Sequence, residues 1–103
     1  MEEHAKQMAE LLKVLANENR LMIFCALTQG AMAVHEIALC VPNISQSALS
    51  QHLALLRAHG VLESKKNGQS VTYFIADHRV NEIINVLKKH YCVESPASRK
   101  SEP

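Results

Sequence analysis

Between Ser45 and Ala76 the apolar residues change period. Leu49, Leu53 and Leu56 recur at i, i+4 and i+7 and so share one face of a helix, whereas Val71, Tyr73 and Ile75 alternate with Thr72 and Phe74 as a strand requires. Ser45 is placed to cap the helix by accepting a backbone N–H bond. The outward face is Gln46, Ser47, Ser50 and Gln51, uncharged donors and acceptors that suit base edges in a major groove. They lie in the first turns, the part of a reading helix that enters the groove. Asn67-Gly68 is the strongest short hairpin signal and predicts a type I′ turn, with positive φ at both residues. Lys65 and Lys66 stand beside that turn, where a wing meets phosphate, and Asn67 and Gln69 complete the expected contacts at its tip. The segment reads as a DNA-reading unit; the alternative on these residues alone is a solvated helix face and an ordinary hairpin.

The remaining properties bound the reading. At 103 residues the chain is expected to form one domain with a single small core, which makes dimerisation a natural source of further burial. It has no apolar run near the ~20 residues of a membrane span and no leader pattern, so a cytoplasmic location is expected. Three cysteines, an odd number, argue for reduced thiols rather than a disulfide framework. A net charge of +1 is weak for a nucleic-acid binder, but its distribution is uneven. Residues 45–79 carry Arg57, Lys65, Lys66 and Arg79 against Glu63 and Asp77, while residues 1–18 carry Glu2, Glu3, Glu10 and Glu18 against Lys6 and Lys13. DNA affinity is therefore expected to be salt-sensitive.

Along the chain, five helices and one hairpin are expected. The first runs from about His4 to Ala16 with Ala5, Met8, Leu12 and Leu15 on one stripe. The second is capped by Asn17 and reaches Gln29, with Gly30 beyond its end. The third spans about Val34 to Cys40 and is stopped by Pro42. The fourth is the polar-faced helix. Asp77 caps the last, which runs to about Tyr91 with Val80, Ile83, Ile84, Leu87 and Tyr91 on one stripe. The apolar stripes on the terminal helices predict that the two pack together across a dimer. Residues 94–103 are polar and periodless and are expected to be a disordered tail, leaving 1–93 as the folded domain.

This order of helices, reading helix, β-wing and closing helix resembles the ArsR/SmtB family of winged-helix repressors. The resemblance covers most of residues 8–92 and is strongest in LLKVLANENRLMIFCAL at 11–27, SQSALSQHLALLRAHGVL at 45–62 and the wing through Phe74. It implies a mainly α, winged helix-turn-helix fold. It further implies a homodimer joined through the first and last helices that binds a palindromic DNA operator and releases it when an inducer binds.

The inducer has to be sought among possible ligands. Soft metals in this family are held by a Cys-x-Cys pair at the third helix, where this chain has Ala33 and His35. The family's last-helix zinc site needs four ligands, of which Asp77 and His90 are kept while Arg79 and Val93 replace the others. No metal or cofactor is expected from these residues, and the alternative reading is a metal-responsive repressor of the family with a site these residues do not assemble. Cys25, after RLMIF, and Cys92, after HY, resemble instead the sensing pair of the BigR-like and HlyU-like branch. That likeness implies bridging of the two thiols by reactive sulfur species or an oxidant, with loss of DNA affinity. On spacing alone Cys25 reads as a small buried hydrophobe beside Phe24 and Leu27. Cys40 has no local partner motif and is expected to be structural. His52 reads either as a phosphate or base contact or as a core-edge residue, and Arg20 as structural. His4, His35, His59 and His78 read as surface residues. An enzyme is not expected: His90 and Cys92, the one close base and thiol, point about 200° apart on a helix, and there is no phosphate loop or paired carboxylate site.

Overall fold

The computed structural model describes residues 1–91; Cys92, Val93 and the tail expected from Glu94 onward lie outside the described residues. The chain runs α1 (Glu2–Leu15), α2 (Glu18–Leu27), β1 (Met32–Ala33), α3 (Val34–Cys40), α4 (Gln46–Ala58), β2 (Leu62–Asn67), β3 (Ser70–Ile75) and α5 (His78–Tyr91). Local signals start the helices. The Asn17 side chain accepts from the Arg20 backbone N–H at 3.1 Å, Ser45 Oγ from Ala48 N–H at 3.0 Å, and Asp77 Oδ1 from Arg79 N–H at 2.9 Å. Helix α2 ends at Leu27, short of the expected Gln29, where Thr28 Oγ1 donates to the Cys25 carbonyl at 2.8 Å. Between α3 and α4 the chain turns through Asn43, which has a φ of 66°, a left-handed conformation that asparagine tolerates better than most residues.

Two expectations about strands need correction. The sheet has three strands in the order β1-β3-β2, because Met32 and Ala33 pair antiparallel with Tyr73 and Thr72 on the second edge of β3. Two residues are too few to show a period, so β1 is defined only by the edge it meets. The wing turn is also shifted by one residue. Asn67 pairs with Ser70 as the last rung, leaving Gly68 and Gln69 as the central residues. Gly68 has a φ of 63° and neither Asn67 nor Gln69 is positive. This is the type II′ pattern, with glycine first, and not the type I′ turn centred on Asn67-Gly68.

The core lies where α2 meets α3, α5 and β3, with Ile23 and Phe24 of α2 fully buried among Ile37, Leu49, Leu53, Leu56, Leu62 and Ile84. The terminal helices are only half used. On α1 the buried side is Leu15 with Leu11 and Val14 beside the core, while Met8 and Leu12 of the expected stripe are 49% and 53% exposed. On α5, Val80 and Ile84 are buried, but Val86, Leu87 and Tyr91 face outward. No helix among the described residues is long and apolar enough to cross a membrane.

Candidate functional site

Helix α4 sits on the core by Leu49, Leu53 and Leu56, none more than 2% exposed. Because those three residues fill one face, Gln46, Ser47, Ser50 and Gln51 are turned outward, and all four are exposed. They form one uncharged polar surface over the first two turns. Its groups can donate and accept but carry no charge that would bind any polyanion indiscriminately.

The wing extends beside this helix, its base tied to the core through Leu62, which pairs with Ile75. Lys65 pairs with Thr72 and Lys66 with Val71. Adjacent strand residues point to opposite faces, so the two ammonium groups flank the wing. Lys65, Lys66, Asn67 and Gln69 are all exposed. The charge of Arg79, counted with this half of the chain in the sequence, is spent differently. Its guanidinium donates to Asp77 Oδ1 at 3.0 Å and Oδ2 at 2.7 Å. The Arg79 bonds hold the Asp77 carboxyl below its ordinary pKa, outweighing the opposing effect of burial. Both oxygens that would serve a metal at Asp77 thus face an arginine. Among the described residues no group of three His, Cys, Asp or Glu side chains is placed to hold a metal ion.

His52 stands apart from the other residues expected to meet DNA. It is half-buried, and its Nδ1 accepts from Arg20 Nε at 3.2 Å. Burial first, and the Arg20 charge second, push its pKa below the ordinary histidine value. Arg20 also donates from Nη1 to the Val14 carbonyl at 3.0 Å, so the expected structural role of Arg20 holds. His52 falls three residues after Leu49 and four before Leu56, on the flank of the buried stripe. That flanking position is a signal present in the sequence, but it does not identify a partner 32 positions away.

Cys25 is half-buried in the wall of an open cleft of about 340 Å³ between α2 and α5, lined also by Leu21, Ile84, Leu87, Lys88 and Tyr91. Tyr91 immediately precedes Cys92, the second thiol of the expected pair, which lies outside the described residues. Lys88, four positions after buried Ile84, donates from Nζ to Thr28 Oγ1 at 2.9 Å and to the Cys25 carbonyl at 3.5 Å, tying the end of α5 to the turn of α2 that carries the thiol. Periodicity marks Lys88 as facing the core side of α5, though nothing local names its partners. Cys40 is exposed at the end of α3, where Ile37 and Val41 take the inward positions. His4, His35, His59 and His78 are exposed, as expected.

Comparison with known proteins agrees with this geometry. Residues 15–65 match a helix-turn-helix domain family. The transcriptional activator HlyU of Vibrio cholerae is 40% identical over 89% of this chain and 84% of its own length. The biofilm growth-associated repressor of Xylella fastidiosa is 33% identical over 91% of this chain and 82% of its own. The solved structure of reduced HlyU from Vibrio cholerae superposes with a TM-score of 0.83, covering 90% of this chain and 97% of that one. Identity of this extent over most of both chains, together with the shared fold, makes the chain a member of the ArsR/SmtB family of winged helix-turn-helix transcriptional regulators.

Proposed function

We propose that this regulator is a cytoplasmic homodimeric repressor that binds a palindromic DNA operator and releases it when Cys25 and Cys92 are bridged by reactive sulfur species or an oxidant. Gln46, Ser47, Ser50 and Gln51 read base edges, while Lys65, Lys66, Asn67 and Gln69 hold the backbone. Two reading helices related by a two-fold axis enter successive major grooves about one helical turn apart. The second copy covers the apolar residues that α1 and α5 leave in water: Met8, Leu12, Val86, Leu87 and Tyr91.

The observation that carries the sensing half is the position of Cys25 in the cleft wall opposite the end of α5, one residue before Cys92. The chemistry begins with a thiolate. A cysteine thiolate attacks the terminal sulfur of a persulfide RSSH, forming Cys–SSH and releasing RS⁻. If both cysteines are loaded, condensation of Cys–SSH with Cys–SSH gives a trisulfide and H₂S. If only one is loaded, the other thiolate displaces HS⁻ and leaves a disulfide. With peroxide, the sulfenic acid formed on one thiol loses water on attack by the other. Either bridge pulls α5 against α2, and a coupling of about 1–3 kcal/mol is enough to release one operator half-site.

Intact mass after treatment with glutathione persulfide, and separately with peroxide, tests this directly. A crosslink retaining extra sulfur identifies persulfide as inducer, and loss of two hydrogens alone identifies a disulfide. Cys25→Ser and Cys92→Ser are each expected to bind operator as reduced wild type does and to fail to release it, while Cys40→Ser still responds. Normal release by either of the first two variants overturns the assignment.

A further inference from the structure

His52 and Arg20 form a side-chain link between α2 and α4 whose second branch reaches α1. The Val14 carbonyl is one of the last four in α1, which have no partner inside their own helix. The Arg20 guanidinium therefore joins the end of α1 to the middle of α4 from a backbone anchored in α2. We infer that Arg20 and His52 are positioning residues for sequence reading: their bond sets the angle of α4 against α1, and operator binding, unlike general DNA binding, weakens when the His52 imidazole takes up a proton. This rests on the reading of α4 as the DNA-reading helix.

The bond has only one workable protonation state. Arginine offers donors and no acceptor, so His52 Nδ1 must be the bare nitrogen and the ring proton must sit on Nε2. In the imidazolium both nitrogens are donors and the ring repels the guanidinium, so the bond is lost. The same turn of α4 carries Ser50 and Gln51, and a shift that separates His52 from Arg20 moves both. In a dimer the link occurs twice, and both heads must fit one operator spacing.

Among the described residues, Arg20 of α2 is bonded to the imidazole, and Glu10 and Lys13 of α1 and His59 beyond α4 line the cleft that Arg20 borders. Positive charge gained under acid strengthens attraction to phosphate, so a fall in operator affinity runs against the general electrostatic trend and reports geometry. The direction for folding is the same: with its folded-state pKa below the ordinary value, His52 contributes stability at pH above the histidine range, and loses it as pH falls through the ordinary value toward the folded one.

The experiment uses the full reduced chain, a palindromic duplex selected by it from random DNA at about pH 7.5, and a scrambled duplex of equal composition. Affinities are followed by fluorescence anisotropy down to about pH 5.5, across the histidine range. The preference of the wild type for its palindrome is expected to fall about tenfold, a modest coupling. His52→Gln keeps an acceptor for Arg20 but cannot titrate, and its preference is expected to stay constant. Arg20→Met is expected to lose preference already at the higher pH while still binding scrambled DNA, and to raise the His52 pKa measured by NMR. A wild-type preference that does not change with pH, a His52→Gln slope equal to wild type, or an unmoved His52 pKa in Arg20→Met overturns the inference alone. Finding no preferred duplex at the higher pH overturns the DNA-reading assignment as well.

Discussion

Helices α4 and α5 begin alike and end differently. Each is started by a side-chain cap, Ser45 on Ala48 N–H and Asp77 on Arg79 N–H. Helix α4 then buries one apolar face along its length, with Leu49, Leu53 and Leu56 at 1%, 2% and 0% exposure. What it leaves in water over its first two turns is polar, and Leu55, 36% exposed, is the large apolar residue left outside that stripe further along the helix. Helix α5 buries Val80 and Ile84 in its first half and leaves Val86, Leu87 and Tyr91 exposed in its second. A helix whose apolar face is fully used offers its remaining surface to a polar partner, whereas a helix with apolar residues left over is stabilised by another apolar surface. Under the proposed function these partners are DNA and a second copy of the chain, and the Cys25 cleft lies where α5 changes from one regime to the other.

The sharpest way to break this comparison is to make one chemical change on both helices. Leu53→Ala opens a cavity in the core and is expected to cost about 2–5 kcal/mol of subunit stability. Leu87→Ala should cost far less in urea denaturation extrapolated to low protein concentration, and should appear instead as weaker self-association by sedimentation equilibrium. Equal losses of subunit stability would show that the exposed half of α5 has no separate role.

A smaller effect separates the two kinds of contact on the reading head. Gln51→Ala is expected to weaken binding to a selected palindrome by about 1–3 kcal/mol with little change on random DNA. Lys65→Ala with Lys66→Ala should weaken both and flatten the salt dependence, since each phosphate contact adds to the slope. Salt-series anisotropy on both duplexes decides; a Gln51→Ala loss of the same size on random DNA would remove the base-reading role of the α4 face.

The smallest effect tests the caps themselves. Asp77→Ala is expected to lower stability by about 1 kcal/mol, the usual value of an N-cap. Arg79 holds the Asp77 pKa down, so the contribution is present at neutral pH and is lost as pH falls below the ordinary carboxylate range toward the folded value. Thermal melts from neutral pH downward should show the Asp77→Ala deficit closing in acid.

Much of the reading head is legible in the amino-acid sequence, for a local reason. Ser45, the leucine stripe and the turn region around Gly68 each act within a few residues, and the exposure of Gln46, Ser47, Ser50 and Gln51 follows once the leucines face inward. The one-residue shift of the wing turn has a cause of the same short range. Asn67 and Gly68 both suit a tight turn, and cross-strand pairing of Asn67 with Ser70 chooses between the two registers. His52 is a different case, since its position along α4 allows either DNA contact or a place at the core edge, and the approach of Arg20 from 32 positions away is not written in that position.

Periodicity, capping residues and Pro42 by themselves determined the order and type of the helices, the wing, and the face that α4 presents, because each rests on interactions within one turn or one hairpin. Only the tertiary structure decided that Met32 and Ala33 add a third strand, that the apolar stripes of α1 and α5 are divided between core and solvent, that Arg20 links Val14 to His52, and that Cys25 opens into the α2–α5 cleft. Those features depend on which distant segments meet, and a local pattern records that a surface is apolar or polar without recording what will cover it.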